Sequence, residues 1–80
     1  MRNFSEVLNE ICNELPEKMA EGLRKSANFW APEIYWYNLS KFINRNVRPD
    51  SKDDKSVKIY SILCNKTEDE MKKEFESYGL

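Results

Sequence analysis

Histidine, cysteine, paired carboxylates and glycine-rich loops are the materials from which small proteins most often build reactive sites. This 80-residue chain offers little of each. It contains no histidine, which removes the usual general base near neutral pH and the commonest metal ligand. Its two cysteines, Cys12 and Cys64, are far apart in the chain, and neither is flanked by the basic residues that would favour a thiolate. Both sit in apolar stretches, so both are expected as reduced, buried thiols that pack like small hydrophobes. Gly22 and Gly79 are the only glycines, and no phosphate-cradling loop can be written with them. Asp53 with Asp54, and Glu68 with Asp69 and Glu70, are the acidic clusters. Each precedes a predicted helix, where carboxylates stabilise the positive end of the helix dipole rather than hold a magnesium ion. The expectation is a protein with no catalytic residues, no metal site and no cofactor: not an enzyme.

Binding is the chemistry that remains. Tyr37, Lys41 and Arg45 follow one another at intervals of four, with Arg48 three residues beyond, a spacing that projects side chains from one side of a helix. The stripe holds no acidic residue, although acids outnumber bases in the chain as a whole. It can clamp phosphates or an acidic surface; the plain alternative is an ordinary solvated helix face. The second constellation is aromatic, with Phe29, Trp30, Tyr35, Trp36 and Tyr37 close together. Tryptophan, tyrosine and arginine dominate interface energetics, but rings also fill thin cores efficiently. Most of this cluster is therefore expected inside, with Trp30 or Tyr37 left exposed. Trp30, Ile34, Tyr37, Lys41, Arg45 and Arg48 make up the candidate partner-binding set.

These side chains need helices to position them. Phe4, Leu8, Ile11 and Leu15 recur at helical spacing over Asn3 to Glu14, with Asn3 and Glu6 as a capping pair. Pro16 must end or kink that helix, and a weaker helix with Met19 and Leu23 runs from Glu17 to Lys25 despite Gly22. Ser26 to Ala31 is a break, and Pro32 opens a third helix reaching about Asn46. At 100 degrees per residue, Tyr35, Trp36, Leu39, Phe42 and Ile43 share one side of it, while Ile34, Tyr37, Asn38, Lys41 and Arg45 share the other. Arg48 to Lys55 is a polar turn. Ser56 to Cys64 is predicted as a helix capped near Ser51; its β-branched residues also suit a strand paired with Glu33 to Tyr37. Thr67 and Glu70 form a capping box for a last helix from Glu68 to Tyr78, closed by Gly79 and Leu80. The fold class is all-α, a single domain over residues 1–80 with four to five short helices. The alternative is α+β with a two-stranded hairpin made from Glu33–Tyr37 and Ser56–Cys64.

Thirteen basic and fourteen acidic residues leave a formal net charge of -1, so no long-range field steers the whole molecule to nucleic acid or membrane. No apolar run approaches the ~20 residues that span a bilayer and the N-terminus lacks a leader-like pattern, which places the expected location in the cytoplasm. Lysine and asparagine enrichment with little alanine or glycine fits an AT-rich coding source such as a phage or other mobile element. The expected function is a small non-catalytic protein-binding module: an inhibitor, adaptor or accessory protein occupying a surface of a larger partner. The alternative is a nucleic-acid-binding or transcription-regulatory protein using Lys41, Arg45 and Arg48. Ser56 to Tyr78 does trace the outline of a helix-turn-helix, but its second helix is too acidic to face phosphates. A homodimer through the aromatic side is a third option.

Overall fold

Proline and capping side chains divide the chain into helices. The computed structural model describes residues 2–80 and contains α1 (Phe4–Glu14), α2 (Glu17–Ala27), a short 3-10 turn (Pro32–Ile34), α3 (Tyr35–Asn46), α4 (Asp54–Cys64) and α5 (Glu68–Ser77). Asn3 caps α1 by accepting from the Ser5 N–H at 2.8 Å, without the reciprocal bond expected of Glu6. Leu15 is extended before Pro16, as a pre-proline residue must be, and the Pro16 carbonyl accepts from Ala20 N–H to start α2. Thr67 and Glu70 form the full capping box at α5. At its far end Leu80 N–H donates to Phe75 and Gly79 N–H to Glu76, with Gly79 at φ 76°, which is a Schellman closure.

The hairpin alternative is overturned. Glu33–Tyr37 is split between the 3-10 turn and the start of α3, and Ser56–Cys64 lies within α4. The physical reason is a strong cap that the strand reading ignored: Asp53 Oδ1 accepts from the N–H groups of both Lys55 and Ser56. The cap is Asp53 rather than Ser51, whose N–H instead donates to the Leu80 carbonyl at 3.0 Å and ties the turn to the C-terminal end.

Helices α1 and α4 form the centre. α1 packs on α2, α3 and α4, while α5 docks on α4. Val7, Ile11, Cys12, Leu23, Leu39, Ile43, Val57, Ile59, Tyr60, Met71 and Phe75 are all buried in one continuous core. Tyr60 joins three elements: its ring meets Phe75 edge-on at 5.3 Å, and its hydroxyl lies 3.0 Å from Asn44 Oδ1 and 3.1 Å from the Val47 carbonyl. The Cα envelope measures 35 × 28 × 17 Å, so its thinnest direction holds two helix layers at ~8–10 Å separation. No helix among the described residues is long and apolar enough to cross a membrane.

One expectation about the core fails. Cys12 is buried, but Cys64 is exposed. Cys64 is the last residue of α4, and Asn65, at φ 54°, turns the chain away in the left-handed conformation directly after it. No following element arrives to cover the thiol.

Candidate functional site

The candidate surface is assembled by α3 and the turn before it. Phe29 and Trp30 donate their N–H groups to Ser26 and Ala27, wrapping the chain around the end of α2, and Ile34 N–H donates to the Ala31 carbonyl across the 3-10 turn. Pro32 suits that first turn because it has no N–H to leave unpaired. The helix that follows buries Leu39 and Ile43 completely, which is enough to seat it on α1.

The rings before Leu39 are consequently free of the deep core. Phe4, reaching over from α1, stacks on Tyr35 at 4.4 Å and 10°, meets Trp36 edge-on at 5.2 Å, and stands 6.4 Å from Trp30. Trp30 and Tyr35 are half-buried by this arrangement. Phe29 is 90% exposed, Tyr37 64% and Ile34 42%. The aromatic cluster expected mostly inside thus lies at the periphery. Tyr37 is exposed as foreseen, whereas of the neighbours Phe29 and Trp30 it is Phe29 that faces water. Trp30 has Phe4 to lean on and Phe29 has nothing.

Lys41 and Arg45 do lie together. Both line an open hollow of about 280 Å³ whose other walls are Ser26 of α2, Trp30, Asn38 and Phe42. The Lys41 ammonium sits 5.2 Å from the Tyr37 ring centroid, a cation–π contact at the surface. The ion pairs among the described residues join Arg2 to Glu10, Glu21 to Lys25, Glu14 to Lys58 and Lys66 to Glu74; none includes Lys41 or Arg45. Arg48 does not join them. α3 ends at Asn46, Val47 is extended, and helical spacing stops applying. Arg48 lines hollows with Pro49, Asp50 and Lys52 and with Val47 and Asp53, and its carbonyl accepts from the Ser56 hydroxyl at 2.8 Å. Ile34 is exposed but does not line the hollow with Trp30, Lys41 and Arg45.

Sequence spacing missed three contributors. Phe42, expected on the inner side, does pack against the core, but it is half-buried and also forms a wall of the hollow. Asn38 was on the correct side of the helix but carried no distinguishing signal. Ser26 comes from a different element, and no periodicity within α3 could have found it. The acidic clusters act at helix starts: Asp53 as a cap, Asp54 in the first turn of α4, and Glu68, Asp69 and Glu70 in the first turn of α5. Glu70 is held below the ordinary carboxyl range by the backbone and side-chain hydrogen bonds of Thr67.

A second hollow, of about 240 Å³, lies where the end of α4 meets α1 and α3, bordered by Arg2, Val7, Trp36, Ile62, Leu63, Cys64 and Asn65. Its apolar walls push the Cys64 thiol above its ordinary pKa; Lys66 opposes that shift and Glu74 adds to it. Comparison with known proteins finds no matching family model, no matching curated protein and no matching solved structure.

Proposed function

We propose that this chain is a non-catalytic, cytoplasmic protein-binding module, an inhibitor, adaptor or accessory protein that covers a surface of a larger partner with the outer face of α3 and the turn before it. The observation that carries the reading is the exposure of Phe29, Ile34 and Tyr37 within one short stretch. Exposed large apolar side chains scattered singly are normal on a protein surface, whereas three in one short stretch, one of them against the Lys41 ammonium, point to an interface anchor. The fold supplies no competing reason for these side chains, because Leu39 and Ile43 already seat α3.

The test is affinity capture from the native cell followed by mass spectrometry, with Phe29→Ser and Tyr37→Ala combined in one variant. Wild type should recover one stoichiometric protein. The double variant should lose it while its far-ultraviolet circular dichroism stays unchanged, since both side chains are mostly outside the core. Recovery of the same protein at the same yield by both forms overturns the proposal. Recovery of nucleic acid in its place, with binding that weakens steeply with salt, would favour the nucleic-acid alternative.

A further inference from the structure

The hollow between α2 and α3 combines three properties, each of which narrows what it can receive. Trp30 and Phe42 provide apolar walls, Lys41 and Arg45 provide cations, and Ser26 and Asn38 provide small polar groups. The hollow, about 280 Å³ in volume, is open to solvent rather than enclosed. An open hollow of this kind suits one ring-bearing or branched side chain of a partner better than a small-molecule ligand, which pockets bind by burying most of its surface.

Charge then selects the occupant. Neither Lys41 nor Arg45 takes part in an ion pair among the described residues, and α3 carries no acidic residue from Tyr35 to Asn46. In a chain with a formal net charge of -1, this is a locally positive face that its own carboxylates leave uncompensated. Two cations are also too few for a strand of phosphates, since affinity for nucleic acid accumulates with each neutralised phosphate, and Arg48 lines other hollows.

We infer that the hollow receives one large apolar side chain from an acidic protein segment, whose flanking carboxylates pair with Lys41 and Arg45. This rests on the protein-binding reading above and names the chemistry of the partner. Trp30 and Phe42 grip the apolar side chain, and the two cations set the register of the segment across α3. Opposite charge across an interface rim acts chiefly on encounter rate and discrimination between partners, so the pair of cations serves as the selector and the rings as the anchor.

The probes are two synthetic peptides in which Asp and Glu flank a central Trp or a central Leu, a counterpart with Lys replacing every acid, and an oligothymidylate. Each is titrated into isotopically labelled protein and followed by amide chemical shifts. At least one acidic peptide should shift signals of Ser26, Trp30 and Asn38 to Arg45, weaken with added salt, and bind about tenfold less tightly to Lys41→Glu/Arg45→Glu. The lysine peptide should bind that variant better than it binds wild type. Both substituted positions are exposed, so the variant should stay folded, with its melting temperature lowered only slightly by a glutamate in the last turn of α3. Shifts from neither acidic peptide, shifts confined to other elements, equal binding of the lysine peptide to wild type, or tighter binding of oligothymidylate overturns the inference. The captured native partner separates this failure from that of the broader reading. A partner lost on Phe29→Ser/Tyr37→Ala but retained by Lys41→Glu/Arg45→Glu overturns acidic recognition alone.

Discussion

A thiol in a core and a thiol at a helix end respond differently to the same reagent, and this chain carries one of each. Cys12 is buried, with Sγ 3.8 Å from the Ala20 carbonyl. Burial raises its pKa, and the nearby Arg24 guanidinium offsets only part of that rise. Cys64 is exposed yet borders the apolar hollow beside Trp36, and its pKa is also raised, chiefly by desolvation. Because the thiolate is the nucleophile, access and ionisation pull in opposite directions at Cys64. Native protein should therefore take up one equivalent of iodoacetamide, more slowly than free cysteine at the same pH, with the second equivalent appearing only in denaturant. Intact-mass measurement checks this, and two equivalents at similar rates in the native state would contradict the burial of Cys12. The expectation that both thiols were buried failed because an apolar neighbourhood in sequence says nothing about whether another element arrives to cover a helix end. Phe29 and Trp30 make the same point: they are adjacent and chemically alike, and their exposures differ because Phe4 of α1 stands beside one and not the other.

At the scale of elements, helix α5 makes the sharpest claim. It docks on α4 through Met71 and Phe75, with Phe75 edge-on to Tyr60, and the Leu80 carbonyl accepts from Ser51 N–H beyond it. Removing a buried phenyl ring costs about 3–5 kcal/mol, whereas a domain of this length is stable by about 4–12 kcal/mol at ~0.05–0.15 kcal/mol per residue. Phe75→Ala should therefore consume much of the total and release α5 first, seen as a lower urea midpoint with partial loss of helical signal. An unfolding free energy within about 1 kcal/mol of wild type would mean that α5 contributes little to the core. This helix was legible in the sequence because its determinants are local: the Thr67 and Glu70 capping box, apolar residues four apart, and Gly79 at the exit. Helix α3 was legible in part for the same reason: Leu39 and Ile43 are inward and Tyr37, Lys41 and Arg45 outward, but Trp36, expected inward, is exposed, and the helix begins at Tyr35 after a 3-10 turn rather than at Pro32. The start of α4 was harder, because both Ser51 and Asp53 can cap, and only the path of the turn against Leu80 decides between them. Arg48 was misplaced by extending a helical period past the end of its helix, and Ser26 was invisible because it enters the hollow from α2.

For the molecule as a whole, the absence of histidine becomes a statement about pH. No side chain present has an ordinary pKa between the carboxyl and thiol ranges, so stability should form a plateau across neutrality. On the acid side, Glu70 is held below its ordinary value of 4.5 by the Thr67 cap. Its stabilising contribution is present above that value and lost as pH falls through the lower folded-state pKa. On the alkaline side, Cys12, Cys64 and Tyr60 are held above ordinary values of 9.0, 9.0 and 10.0, chiefly by desolvation. Folding favours their neutral forms, so their contribution is complete below those values and lost as pH rises through the raised ones. Lys66 is held above 10.5 first by its hydrogen bond to Glu74, and the stabilisation of that charged pair is likewise lost only at strongly alkaline pH. The thermal midpoint followed by circular dichroism should therefore be flat from about pH 5 to about pH 8.5 and decline on both sides. Glu70→Gln should make the acid arm somewhat shallower while leaving the alkaline arm in place, because glutamine can still bond the Thr67 backbone but has no proton to gain. Tyr60→Phe and Cys64→Ser together should soften the alkaline arm without touching the acid one. A midpoint that changes steeply between pH 6 and pH 8 would require a titrating group that these side chains do not provide, and would overturn this account of what sets stability.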